Sequence, residues 1–213
     1  TNLKEGLIAI ANPNAPTGLE ISLDEIRKIC KSSPDCVVLI DEAYVNFGGT
    51  TAIPLLSECE NLIVCRTFSK SASMAGARLG FALASRELTA DLEKIKYSTN
   101  PYSVSRITLA AGEAAVKDAD YYRANCAKII STREKTAKAL KCMGFEMTDS
   151  KANFLFARYP MMSGKEIFAR LKELGILVRR FDQAGIEDYL RITVGSESEM
   201  ETLVNTLERI VGK

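Results

Sequence analysis

Three unbroken apolar runs constrain this chain more than any other feature of it: residues 6–11 (Gly-Leu-Ile-Ala-Ile-Ala), 36–40 (Cys-Val-Val-Leu-Ile) and 61–65 (Asn-Leu-Ile-Val-Cys). None alternates apolar with polar residues, so each predicts a strand buried on both faces, as in a parallel sheet. Each stops abruptly on polar residues: at Asn12-Pro13, at Asp41-Glu42, and at Arg66-Thr67-Phe68-Ser69-Lys70. Between the first two, Ser22-Leu23-Asp24-Glu25 reads as a capping box, with Ile26, Ile29 and Cys30 on one helical face. Strand, helix, strand, turn, strand is the alternation of a doubly wound α/β layer. In such sheets ligands gather at the carboxyl ends of the strands, which here carry Asn12, Asp41 and Lys70.

The rest of the chain predicts a further strand over Leu79–Ala84, then helices over about 86–96 (capped by Ser85), Val104–Val116 and about 119–142. Gly144 ends the long helix, and the pattern changes. Short strands are expected over Phe145–Thr148, Ala152–Ala157, Ile176–Arg180 and Tyr189–Val194. Amphipathic helices over 164–174 and 197–211 are interleaved with them, the second capped by Ser196 with Glu199. The organisation expected is an α/β domain over residues 1–125, a connecting helix over 126–143 and a small α+β domain over 144–213. No repeat, low-complexity tract or Pro/Gly/Ser linker interrupts it.

Composition narrows the chemistry. The 213 residues carry 28 Lys+Arg against 27 Asp+Glu, a formal charge of +1, which lacks the basic footprint of a nucleic-acid binder. No run approaches the roughly 18 apolar residues of a membrane span, and no charged segment precedes an apolar stretch at the start. The chain contains no histidine, so Ser-His-Asp and Cys-His triads and most zinc sites are excluded, and no metal site is expected. Proton transfer falls to Lys, Tyr, Cys or a carboxylate. The six cysteines form no C-x-x-C pair, and several lie in apolar patterns, which reads as reduced, buried thiols of a cytoplasmic protein.

Asp41 follows four strongly apolar residues, which predicts a carboxylate at the rim of a desolvated sheet end; such a group is costly unless it meets a cation. Position alone makes a turn cap an equal reading. Lys70 is either a plain surface lysine or, among Phe68 and Met74-Ala75-Gly76-Ala77, a partly desolvated amine reactive toward carbonyls. An amine for an aldehyde and a carboxylate for a cationic ring nitrogen are what pyridoxal phosphate requires. Its phosphate needs hydroxyls and a guanidinium, and Thr67, Ser69 and Arg78 lie close to Lys70 in sequence.

Four motifs stand in order along the chain: Asn12-Pro13-Asn14-Ala15-Pro16-Thr17-Gly18, Asp41-Glu42-Ala43-Tyr44, Thr67-Phe68-Ser69-Lys70 through Ala75-Gly76-Ala77-Arg78-Leu79-Gly80, and Leu190-Arg191-Ile192-Thr193-Val194-Gly195. In these the chain resembles the fold-type I, class I/II pyridoxal-phosphate aminotransferases over its whole length. The D-E-A-Y and T-F-S-K forms, with Gly175-Ile176-Leu177-Val178-Arg179, are most similar to the branch acting on histidinol phosphate.

The resemblance implies Lys70 as the lysine that holds the cofactor and shuttles a proton. It implies Asp41 as the partner of the ring nitrogen, Tyr44 as donor to the ring 3-oxygen, and Ser69 and Arg78, with Thr67, as phosphate ligands. Asn153 resembles a substrate-side asparagine and Arg191 the arginine that holds the substrate's anion. Arg179 is the expected helper, since adjacent Arg179 and Arg180 on a strand point to opposite faces. Structural alternatives stand beside these roles: core packing for Tyr44, a solvated sheet position for Arg191, and a backbone-bonding hydroxyl for Thr67.

Two departures from the family pattern accompany the resemblance. Relatives carry an asparagine where this chain has Ala15, which leaves Asn12, Asn14 or Tyr44 to meet the ring oxygen. The chain also aligns with the carboxyl-terminal portion of such an enzyme. It is therefore expected to form an incomplete large-domain sheet, to expose edge and apolar surface that favour self-association or the family's homodimer, and by itself to bind pyridoxal phosphate poorly and not to transaminate. The implied activity is transfer of an amino group between a small-molecule amino donor and a 2-oxo acid, in histidine biosynthesis. The alternatives are an aromatic or broad-specificity aminotransferase, a threonine-phosphate decarboxylase, or a non-catalytic fragment acting in assembly.

Overall fold

A computed structural model describes residues 5–212. The three apolar runs form parallel strands: β1 (Gly6–Ala11), β2 (Cys36–Asp41) and β3 (Leu62–Thr67). A fourth strand, β4 (Gly80–Ala84), pairs antiparallel with β3, so the sheet order is β1-β2-β3-β4. The β2–β3 register sets Asp41 beside Cys65, and β1–β2 sets Ala11 beside Asp41. β1 and β2 therefore end level with each other, and β3 runs two residues further, to Thr67.

The helix α1 (Leu23–Ser32) crosses between β1 and β2, and its start is the expected capping box: Ser22 Oγ accepts from Glu25 N–H while the Glu25 carboxylate accepts from Ser22 N–H. These bonds hold the Glu25 carboxyl below its usual pKa range, with the Ser22 bonds the largest cause. Its inward face buries Ile26 and Cys30 against Val38, Ile40, Leu62 and Val64. Complete burial of a side chain such as Ile26 contributes about 1.5–3 kcal/mol.

Beyond β4 run α2 (Arg86–Thr99) and α3 (Arg106–Lys117), capped by Ser85 and Ser105. α2 has no buried residue, and Ile95, Ile107 and Val116 are all exposed. The expected exposed apolar surface is thus present among the described residues.

The long helix α4 (Ala119–Cys142) precedes a second sheet built from β5 (Glu146–Met147), β6 (Phe154–Arg158), β7 (Arg179–Arg180) and β8 (Leu190–Thr193), ordered β5-β6-β8-β7 and antiparallel throughout. The helices α5 (Gly164–Glu173) and α6 (Glu197–Val211) bury Ile167, Leu171, Leu203 and Leu207 with Leu155, Leu190 and Ile192 of this sheet. The expected strand over Ile176–Arg180 is shorter, because Ile176 and Val178 pack on this core by their side chains without joining a ladder.

The chain divides into two compact units, one of residues up to Asn14 with Glu20–Ala124, the other of Ala15–Leu19 with the residues from Asn125 onward. Ala15–Leu19 thus belongs with the later half of the sequence. Thr148 Oγ1 donates to the Thr17 carbonyl, and Lys151 N–H donates to the Gly18 carbonyl at 2.8 Å. Gly18 is required there: its φ is +73°, and a Cβ would lie 2.2 Å from Ser150 Oγ.

Candidate active site

In the first unit, Asp41 ends β2 and turns its carboxylate back to accept the Ala43 N–H at 2.9 Å. The chain then enters a short 3-10 turn at Val45–Phe47, preceded by Tyr44. β3 ends at Thr67 and hands over to a hairpin loop, residues 68–79, before β4. That loop is closed by Phe68 N–H to the Leu79 carbonyl and Met74 N–H to the Phe68 carbonyl, both 3.0 Å.

Lys70 lies in this loop with its Nζ 5.3 Å from the centre of the Tyr44 ring. Asn46 Nδ2, just past Tyr44, donates to Ser71 Oγ at 2.7 Å, so the turn after β2 is bonded to the lysine loop. Thr67 Oγ1 accepts the Ser69 N–H at 3.0 Å and lies 2.9 Å from Ser69 Oγ, which sets two hydroxyls side by side. Arg78 donates to the Ala75 carbonyl and has φ +52°, a left-handed conformation that non-glycine residues adopt at a cost. Strain of this kind clusters where a side chain must be aimed.

The sequence predicts desolvated surroundings for Asp41 and Lys70, and the structure corrects that. Asp41, Lys70 and Arg78 are all exposed. The physical reason for Lys70 is that Phe68 turns to pack on Phe81, with ring centres 5.8 Å apart, rather than covering the amine. No carboxylate pairs with Lys70 or Arg78 among the described residues, and none of their cations reaches Asp41 in an ion pair. An amine beside an aromatic ring, a carboxylate on the neighbouring strand end, two adjacent hydroxyls and a guanidinium in no ion pair among the described residues form a set that suits an anionic, aldehyde-bearing pyridine ring. Asn12 is buried and spends its side chain on Ile21, Oδ1 accepting the N–H at 2.9 Å and Nδ2 donating to the carbonyl at 3.3 Å. It holds a turn, which is a different task from the ring contact considered for it. Asn14, half-buried, follows at the next but one position.

Directly behind Asp41, Glu42 is buried and joined to Arg66, whose Nε and Nη2 donate to Glu42 Oε2 at 3.0 and 2.9 Å. Sequence reading missed this pair. Two adjacent carboxylates look alike in a sequence, and only alternation along the strand hinted that one of them faces inward.

In the second unit, Asn153 precedes β6 and its carbonyl accepts the Val194 N–H at 2.9 Å. The turn before it is fixed from behind: buried Arg133 of α4 donates to the Ala152 carbonyl at 2.7 Å, and Ser150 Oγ donates to the Phe154 carbonyl at 2.6 Å. Arg133 was also unread in the sequence, where a helical arginine looks like a solvated one. Arg191 on β8 lies over the Phe154 ring, its Cζ 5.3 Å from the centre. The β7–β8 register puts Arg179 directly opposite Arg191 and Arg180 opposite core residue Leu190. Arg179 therefore shares the face of Arg191, while Arg180 turns to the other face and pairs with Asp182. No group of three or more Cys, Asp or Glu side chains among the described residues is arranged to hold a metal ion, and no helix among them is long and apolar enough to cross a membrane.

Comparison with known proteins bears on this arrangement. Residues 1–207 match the sequence profile of the family described as aminotransferase class I and II. The chain is 48% identical over 205 residues to a histidinol-phosphate aminotransferase of Chromohalobacter salexigens, covering 96% of this chain and 58% of the relative. It is 46% identical, with the same coverage, to one of Lactococcus lactis. The chain thus spans about 58% of the length of these curated relatives. A crystal structure of histidinol-phosphate aminotransferase from Sinorhizobium meliloti, in complex with pyridoxal 5'-phosphate, superposes with a TM-score of 0.85 at 28% identity, covering 97% of this chain and 57% of that one. A profile match over nearly the whole chain places it: the chain belongs to the class I and II aminotransferase family.

Proposed function

We propose that this chain serves a pyridoxal-phosphate-dependent aminotransferase that moves an amino group between glutamate or 2-oxoglutarate and histidinol phosphate. The observation that carries the reading is the placement of Lys70 over Tyr44 in a loop bonded to the turn that follows Asp41. The names and identities of the curated relatives support the substrate. Bound there, pyridoxal phosphate supplies an electron sink for the bonds at the substrate's α-carbon. Lys70 Nζ would hold the cofactor and would carry the proton to and from the substrate's α-carbon. Asp41 keeps the ring nitrogen protonated, and Tyr44, with Asn14, meets the ring 3-oxygen. Ser69, Arg78 and Thr67 hold the phosphate. Arg191, helped by Arg179, orients the substrate's anionic group beside Asn153; an arginine fork takes carboxylate and phosphate alike, so one site serves both partners in alternation.

The proposal includes a cytoplasmic homodimer, to which the exposed apolar residues of α2 and α3 are suited. It also includes a division of labour, with residues 1–125 carrying the cofactor and 144–213 the substrate arginines. Borohydride reduction of the protein containing this chain with pyridoxal phosphate, followed by peptide mass spectrometry, tests the cofactor assignment: modification confined to Lys70 and absent in Lys70→Ala is expected, and modification spread over surface lysines overturns it. Amino-donor competition in the protein containing this chain tests the substrate. Activity with phenylalanine and none with histidinol phosphate rejects it.

A further inference from the structure

The hydrogen-bonded ladder between β2 and β3 ends at Asp41 beside Cys65, with one last backbone bond from Glu42 N–H to the Cys65 carbonyl at 2.8 Å. Past that point nothing in the ladder fixes the spacing of the two chains. Glu42 takes over. Its side chain is fully buried, and its two oxygens accept from Arg66 Nε and Nη2, from Thr51 Oγ1 at 2.9 Å and from Ala52 N–H. Arg66 Nη2 also donates to Thr51 Oγ1 at 2.9 Å, which closes the network. Both carboxylate oxygens are met, Oε2 by three donors and Oε1 by the Ala52 N–H, the condition under which a buried ion pair is tolerated at all.

The sequence neighbours of this pair are Asp41 on one strand and Thr67 on the other. We infer that Glu42 and Arg66 are positioning residues for the candidate site: by locking the ends of β2 and β3 together, they fix the Asp41 carboxylate relative to the Thr67–Lys70 loop. This rests on the function proposed above for Asp41, Thr67 and Lys70. A buried pair of this kind is weak evidence for stability, since an apolar pair of similar volume often serves as well. What it adds is directional: planar, bidentate recognition that no apolar contact supplies.

The test uses Arg66→Met, Glu42→Gln and the conservative Arg66→Lys in the whole chain, read first without cofactor. Amide hydrogen exchange is followed at Ala43, whose N–H bonds Asp41, and at Ser69, whose N–H bonds Thr67. Exchange at both should accelerate about tenfold or more in Arg66→Met, the size of loss usual when a supporting partner behind a ligand residue is removed. The Ile26 amide in α1 should keep its protection, and Arg66→Lys should restore part of the effect. Equal acceleration at Ile26, or no change at Ala43 and Ser69, overturns the inference. The second readout is the dissociation constant for pyridoxal phosphate by absorbance titration in the protein containing this chain, expected to rise about tenfold in Arg66→Met and less in Arg66→Lys; an unchanged constant overturns it. If the protein containing this chain takes up no pyridoxal phosphate, the proposed function falls, and the exchange data alone still decide whether the pair positions these residues.

Discussion

Arg179 and Arg191 stand directly opposite each other on neighbouring antiparallel strands. Like charges so placed are destabilising by about 0.2–1 kcal/mol. Each guanidinium also lies over an aromatic ring, Arg179 over Phe181 at 5.8 Å and Arg191 over Phe154 at 5.3 Å, contacts worth about 0.5–1 kcal/mol. The two terms nearly cancel. Arg191→Gln should therefore leave the urea midpoint within experimental scatter, while weakening binding of a dicarboxylate amino donor by about 2–5 kcal/mol in the protein containing this chain, read as a rise in KM or in a calorimetric Kd.

Asp41 influences a second group that offers a readout without turnover. Burial pushes the Cys65 thiol pKa up, and the Asp41 charge adds to it. Asp41→Asn keeps an acceptor for the Ala43 N–H and removes the charge. Alkylation of Cys65 should then begin at lower pH than in the unmodified chain, with the unfolding midpoint unchanged. In the protein containing this chain, the same variant should lose about 10²–10³-fold in kcat, as removal of a preorganised electrostatic partner does.

Gly18→Ala combines a left-handed backbone with a Cβ placed 2.2 Å from Ser150 Oγ. It should cost about 1–3 kcal/mol by chemical denaturation. Gly76→Ala is the control: nothing lies within 4 Å of its added Cβ and its backbone is not left-handed, so it should be neutral or slightly stabilising.

Alkali should weaken the first unit through Cys30. Burial, then the charge and hydrogen bond of neighbouring Cys59, push its thiol from an ordinary 9.0 to about 12. The folded state then holds a proton that the unfolded state releases, so stability is fully present below pH 9 and declines as pH rises toward 12. The slope approaches about 1.4 kcal/mol per pH unit for one such group. Urea midpoints between pH 8 and 10.5 should fall for the unmodified chain and less steeply for Cys30→Ala.

Much of this architecture was legible because it is local. The apolar runs at 6–11, 36–40 and 61–65 became β1, β2 and β3, and Ser22 with Glu25 and Ser196 with Glu199 formed the capping boxes their spacing predicts. The direction of β4 was not legible, because an apolar run carries no sign of which way it pairs. Long-range polar partnerships were equally silent. Glu42 finds Arg66 and Arg133 finds the Ala152 carbonyl only once the strands and helices are packed. At the candidate site the residue types were readable from their motifs, but the exposure of Lys70 depends on Phe68 choosing Phe81 as its neighbour.

The assignment of Ala15–Leu19 to the later unit means that no single cut divides this polypeptide into its two folding bodies. A piece beginning at Asn125 would lack the backbone carbonyls of Thr17 and Gly18 that Thr148 and Lys151 now satisfy. Anyone expressing the second body separately would have to add those five residues back as a peptide, and that peptide would serve as a direct probe of how much the stitch contributes.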